Sequence, residues 1–337
     1  MIRSLQALRG FAALAVFLFH LVPLFELSEA ALFPTWLLRW GFSGVDVFFV
    51  LSGVVLTLTY ASSPDTQEGL KRFYFRRFTR IYSGYWPFFF IMLAVAYALG
   101  FERMNDDSII GSFLLTTTEV QHLVLGISWT LTYELYFYLL FGLIFLVGPR
   151  YFYAFVALYA VTVVLVNIAV PAEEGHTRFF LSHFVLEFFA GCLIGELYKR
   201  GRLAELYRPA WLLCIPFLVA GAYLNADRDI LRSATFGVGA ALLLCAFLGT
   251  EKVWSTRAGR TAVLLGDASF TLYLCHVIFI DVFHYAGYWI ALRELGTFVV
   301  TVGNLAFILL VCGFSYGFYR YFEKPVYQRL TRRYRRT

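Results

Sequence analysis

Ten stretches of this 337-residue chain are apolar over roughly the 20 residues that a helix needs to cross a bilayer. They lie near 6–26, 40–60, 81–100, 128–147, 151–170, 179–198, 209–225, 231–249, 262–284 and 297–321. In hydrocarbon a backbone has no water to bond to, so each stretch must satisfy itself as a helix. The expected fold is all-α: a polytopic membrane bundle of about ten transmembrane helices. The composition agrees. Hydrophobic residues make up 60% and charged residues 15%, against about 45–50% and about 25% in soluble domains.

The charges between the stretches alternate. One set of loops carries Lys71, Arg72, Arg76, Arg77 and Arg80, then Arg150, then Lys199, Arg200, Arg202 and Arg208, then Lys252, Arg257 and Arg260. The tail adds Lys324, Arg329, Arg332, Arg333, Arg335 and Arg336. The other loops are acidic or mixed, with Glu26, Glu29 and Arg39, then Glu102, Arg103, Asp106, Asp107 and Glu119, then Glu173, Glu174 and Arg178, then Asp227, Arg228 and Asp229, then Arg293 and Glu294. By the positive-inside rule both termini are cytoplasmic. The net charge of +6 is thus a topology signal, and no nucleic-acid partner is expected. Residues 1–325 form the membrane domain and 326–337 a basic cytoplasmic tail. The first stretch is read as a retained helix rather than a signal peptide, although Ser28-Glu29-Ala30 loosely imitates a cleavage site.

The five cysteines all sit in apolar stretches without CxxC spacing, which points to small buried residues. With no HExxH or close ligand spacing, no metal site is expected.

The polar groups inside the stretches carry the chemistry. Arg9 and His20 are eleven positions apart, about three turns, so they share a helix face about 16 Å apart along the axis. His20, Asp46 and Glu134 each fall about six residues, roughly 9 Å, from the outer end of their helices. His276 comes to a similar region and Glu187 somewhat deeper. A histidine beside a carboxylate is the usual general-base arrangement, so Asp46 or Glu134 is the expected partner of His20. A proton relay in a transporter would use the same groups. Arg72, Arg76 and Arg80 recur at i, i+4 and i+8 among aromatics, a face suited either to phosphates or to anionic lipid. Ser52 is a candidate acyl carrier, with helix packing as the plainer reading.

These residues resemble one family. Arg9-Gly10 through His20 matches its arginine, ten residues, histidine motif. Gly44-Val45-Asp46-Val47-Phe48-Phe49-Val50-Leu51-Ser52-Gly53, Arg76-Arg77-Phe78-Thr79-Arg80-Ile81-Tyr82 with Tyr85-Trp86, and Ser128-Trp129-Thr130-Leu131-Thr132-Tyr133-Glu134-Leu135-Tyr136-Phe137-Tyr138 are similar to its later signatures. Leu265-Gly266-Asp267-Ala268-Ser269-Phe270-Thr271-Leu272-Tyr273-Leu274-Cys275-His276 and Glu323-Lys324-Pro325 complete the order. The chain is identified as a member of acyltransferase family 3, integral membrane acyltransferases that include acetylases of bacterial O-antigens and exopolysaccharides. Ser83-Gly84 departs from the proline that often follows the tyrosine in that family.

The resemblance implies transfer of an acyl group, usually acetyl from cytoplasmic acetyl-CoA or another acyl-CoA co-substrate, to a hydroxyl of a glycan or lipid-linked sugar, with no bound cofactor. It implies a multi-pass protein of the bacterial inner membrane, among membrane lipids. His20 serves as general base or acyl acceptor with Glu134 and Asp46, and Arg9, Arg72, Arg76, Arg77 and Arg80 hold the donor. Ser52, Trp129, Tyr133, Tyr273, His276 and Glu187 complete the candidate site. Some members carry a C-terminal soluble domain that this chain lacks, so a separate periplasmic partner, or direct receipt of the acceptor, is expected. The rival readings are a transporter or lipid-linked sugar flippase, and an acyltransferase acting on a small secreted molecule.

Overall fold

The computed structural model describes residues 2–30, 32–60, 67–100, 106–169, 179–225 and 229–332. Several loop and tail charges assigned above lie outside them: Glu102, Arg103, Glu173, Glu174, Arg178, Asp227, Arg228, Arg333, Arg335 and Arg336.

Each of the ten apolar stretches holds a helix, and there is no strand among the described residues. In chain order the helices are α1 (Arg3–Leu27), α2 (Gly44–Tyr60), α3 (Gln67–Leu99), α4 (Trp129–Gly142), α5 (Ile144–Ala169), α6 (Phe184–Lys199), α7 (Tyr207–Tyr223), α8 (Val238–Leu248), α9 (Ser269–Tyr285) and α10 (Thr297–Phe318). Fewer than ten are long enough to span alone. Among the described residues seven helices pass by length and composition, and an eighth if Gly259–Asp267 and Ser269–Tyr285, bent by 68°, form one span. The shortfall lies in α4 and α6, with 14 and 16 residues. A short 3-10 turn, Gly126–Ser128, precedes the first. The boundary between α4 and α5 is followed by a break inside α5 at Gly148, whose φ of 75° and ψ of 162° suit a residue without Cβ, just before Pro149.

The chain forms two compact units. The first comprises Met1–Leu8, Val45–Arg77 and Tyr133–Arg260. In it α2 and α6 approach closely because both lack side chains at the contact. A Cβ on Gly53 would meet the backbone of Phe188, Gly191 and Cys192, and one on Gly195 would meet Thr57. This is the small-residue route to tight helix packing. Around it Phe49 meets Phe137 edge-on at 5.3 Å, and Phe137 stacks on Phe188 at 4.6 Å. The Glu251 carboxylate accepts the backbone N–H groups of Arg3 and Ser4, each at 2.9 Å, and so caps the start of α1.

The second unit comprises Arg9–Gly44, Phe78–Thr132 and Thr261–Thr337. Gly10 lets α1 lie against the backbone of Ala262 to Gly266. Ser83-Gly84 makes no turn: α3 runs through it, and the bare Gly84 accommodates the ring of Phe270. Phe17, Phe307 and Trp289 pack in sequence at 6.2 Å and 5.2 Å. The Trp289 indole donates to Asn304, which donates in turn to Ser28. Residues 111–118 begin in the short helix Asp106–Leu114. Its last carbonyls are taken by three donors from α3: Tyr85 to Ser112 at 2.9 Å, Trp86 to Phe113 at 3.3 Å and Tyr82 to Leu114 at 2.8 Å. Leu115, at φ 55° and buried, then turns the chain.

Candidate functional site

In the second unit α1 brings His20 to His276 of α9. Nδ1 of His276 lies 3.0 Å from the carbonyl oxygen of Leu272, four residues back on the same helix. That oxygen only accepts, so Nδ1 carries the proton and Nε2 of the neutral ring is an acceptor. Nε2 faces Nδ1 of His20 at 3.2 Å, and Nδ1 of His20 also lies 2.9 Å from the Val16 carbonyl. Two acceptors thus converge on one nitrogen, which must be N–H. The remaining nitrogen of His20, Nε2, bears the lone pair. His276 is fully buried, whereas His20 is partly exposed. Phe17 lies 5.5 Å from the His276 ring, and Phe19 lies edge-on to His20 at 5.0 Å. Tyr273, one of the candidate residues, stands 6.0 Å from His276; its hydroxyl meets Thr130 at 2.9 Å and donates to the Ile127 carbonyl.

A charged cluster occupies the same unit around Tyr319. Arg9, Arg80, Asp267 and Glu323 all lie near its hydroxyl. Arg80 pairs with Glu323, which is 1% exposed and also accepts the hydroxyl of Thr271. The Arg80 guanidinium lies 5.0 Å from the Phe270 ring centre and 6.0 Å from that of Tyr327. Glu323 belongs to a π turn, Tyr319–Glu323, a distortion that turns side chains off the regular helical register. Arg9 and His20 hold the two ends of one helix face, about 16 Å apart.

The first unit holds the remaining candidates. Asp46 is fully buried and takes a two-pronged contact from Arg232, Nη2 to Oδ2 at 2.8 Å and Nε to Oδ1 at 3.0 Å. Beside it Glu187 accepts the Ser233 hydroxyl at 2.5 Å, and Nδ1 of His183 lies 2.8 Å from the same Ser233 oxygen. Gly237 leaves the space that the Glu187 side chain fills. Glu134, half-buried, accepts the hydroxyl of Tyr138. Tyr133 packs against Phe179 at 4.9 Å and Phe184 at 5.5 Å. Arg77 donates to Thr59 and lies over the rings of Phe73 and Tyr138, and Arg72 stands 3.7 Å from Glu68. Arg76 is half-buried on the same helix, and Ser52 is half-buried on α2 beside the close contact at Gly53. Trp129, half-buried, opens α4.

The expected carboxylate partner of His20 is therefore replaced. The ring facing it is a second imidazole, while Asp46 serves Arg232 and Glu134 serves Tyr138. Sequence reasoning missed Arg232, Glu323 as the partner of Arg80, and the His183–Ser233 link. For Arg232 the signal was a lone cation in the first turns of an apolar stretch.

All-helical units in which several helices are long and apolar enough to cross a membrane, with ion pairs buried among them, are those of a multi-pass membrane protein. Comparison with known proteins names the class. The Acyltransferase domain model, Acyl_transf_3, matches residues 2–320, and the chain belongs to that family of acyltransferases. It is similar to the Exopolysaccharide production protein ExoZ of Rhizobium meliloti, 29% identical over 272 residues, covering 78% of this chain and 84% of that protein. It is also similar to the Acyltransferase MdmB of Streptomyces mycarofaciens, 27% identical over 315 residues, covering 83% and 79%. No solved structure matches.

Proposed function

We propose that this acyltransferase moves an acyl group, acetyl in the simplest case, from cytoplasmic acyl-CoA to a hydroxyl of an envelope or exported glycan in the bacterial inner membrane. The observation that carries this reading is the bare Nε2 of His20, left unprotonated by the two acceptors on Nδ1. As a general base, Nε2 takes the hydroxyl proton as the oxygen attacks the thioester carbon. The C–S bond breaks and the thiolate of CoA receives a proton. As a nucleophile, Nε2 attacks the thioester carbon itself and the C–S bond breaks to release the CoA thiolate; the acyl group then passes from Nε2 to the hydroxyl oxygen, whose proton goes to the thiolate. Both routes need the same nitrogen free.

In this reading Arg9 and Arg80 form the donor end of this unit, where phosphates of CoA find charge-assisted partners. Glycan as acceptor is supported by the likeness to a protein named for exopolysaccharide production. Both termini are then cytoplasmic, with donor entry on their side and acceptor on the far side.

The test uses purified protein in liposomes with acetyl-CoA and a glycolipid extract of host membranes. CoA release that depends on the extract is expected. Movement of glycolipid across the bilayer without thioester consumption would favour a flippase.

A further inference from the structure

We propose that His276 is the positioning residue of the transfer: a neutral hydrogen-bond acceptor that holds His20 in the Nδ1–H tautomer with Nε2 turned toward the reactants. This rests on the acyl-transfer reading above. Its structural half, the tautomer, stands independently of that reading.

One acceptor alone does not fix the His20 ring. The Val16 carbonyl lies four residues before His20 on the same helix, so it ties the ring only to its own backbone. An imidazole whose Nδ1 has one such partner can still swing about its last torsion, which is broad for histidine. His276 adds a second fixed point from another helix, 256 positions away in sequence. That point is itself immobilised. Nδ1–H of His276 is spent on Leu272, Phe17 packs against the ring, and the adjoining Tyr273 is pinned to Thr130 and Ile127. With Nδ1–H committed, His276 can offer His20 only a lone pair.

The same geometry says what His276 does not do. Its ring is 0% exposed, and among the described residues its ring meets Leu272, His20, Phe17 and Tyr273. An imidazolium in that setting would be a buried charge without a counter-ion, which is expensive. The carboxylate of a serine-protease triad both orients its histidine and stabilises the imidazolium. His276 keeps only the first duty.

The distinction can be tested because glutamine places a carbonyl oxygen near where Nε2 stands. It can accept the His20 proton bond but cannot take up a proton. His276→Gln, His276→Leu and His20→Ala are purified in nanodiscs and assayed with acetyl-CoA and host-membrane glycolipid extract. Histidine-labelled protein, with six histidines in all, is read by nitrogen-15 NMR, His20 being assigned by its loss in His20→Ala. The expected result is an Nδ1–H tautomer at His20, blurred in His276→Leu and kept in His276→Gln. His276→Leu should lower kcat by about 10²-fold, the low end of what a well-placed base contributes, with the KM for acetyl-CoA unchanged. His276→Gln should stay within a few-fold of the parent.

An Nε2–H tautomer at His20 in the parent protein overturns the proposal. So does a folded His276→Gln that is as inactive as His276→Leu, since His276 would then be moving protons. Full activity in His276→Leu overturns it as well. Activity in His20→Ala would instead remove the acyl-transfer role of His20 and leave the tautomer result standing.

Discussion

Nδ1 of His20 and Nε2 of His276 stand 3.2 Å apart, although α1 and α9 come from opposite ends of the chain. An imidazole therefore occupies the place beside His20 where a carboxylate was expected. A neutral partner supplies direction without countercharge, and this shapes what each variant should do.

Arg9 sits at the other end of the His20 face. Its guanidinium stays charged at any working pH and offers a planar fork of donors, which suits holding a phosphate. Arg9→Lys keeps the charge and loses the fork. It should raise the apparent KM for acyl-CoA several-fold while kcat changes little. An unchanged donor KM would remove Arg9 from the donor site.

Arg80 is tied to a carboxylate that is 1% exposed. Breaking one side of a buried pair costs about 3–5 kcal/mol, and Arg80 is about a quarter exposed, so roughly 2–3 kcal/mol is expected for Glu323→Gln. The measurement is denaturation in detergent at fixed lipid content. If stability holds and only donor affinity shifts, Glu323 tunes Arg80 for CoA rather than anchoring α3.

Asp46 and Arg232 are more deeply buried, at 0% and 8% exposure. Asp46→Asn takes from the guanidinium its two-pronged carboxylate partner and should destabilise the protein by about 3–5 kcal/mol. Adding Arg232→Gln should restore much of that loss, because the buried charge goes too. A double-mutant cycle in thermal unfolding reads the coupling. Additive losses would mean that the two residues act separately.

These pairs mark where the sequence could be read and where it could not. All ten helices were legible, because a bilayer dictates both apolar content and length. α4 comes out shorter because the helix breaks at Leu143 and Ile144 already opens α5, and α6 because the chain ahead of it is a turn, and hydropathy registers neither difference. Neighbours were not legible, because periodicity places a side chain along and around one axis and says nothing of which helix stands opposite. His20 was thus assigned a carboxylate partner, and Arg232, in the first turns of its apolar stretch, was not singled out. Glu323 was legible only as part of a motif; its contacts with Arg80 and Thr271 come from the π turn.

Topology is open to direct measurement. Reporter fusions in the 199–208 loop and after Thr337 should read cytoplasmic, and one near Glu173 should read external. An external reading after Thr337 would undo the charge-alternation argument and place the donor end on the wrong side.

The central claim is that transfer runs through the bare nitrogen of His20, and His20→Ala tests it most directly. Purified parent and variant are compared for binding of acetyl-CoA and for acyl transfer to the same glycolipid extract. Loss of transfer by about 10³-fold is expected, within the range that a positioned acid–base group supplies. Donor binding should stay nearly intact, since Arg9 lies about 16 Å away. Unimpaired transfer by folded His20→Ala would contradict the account.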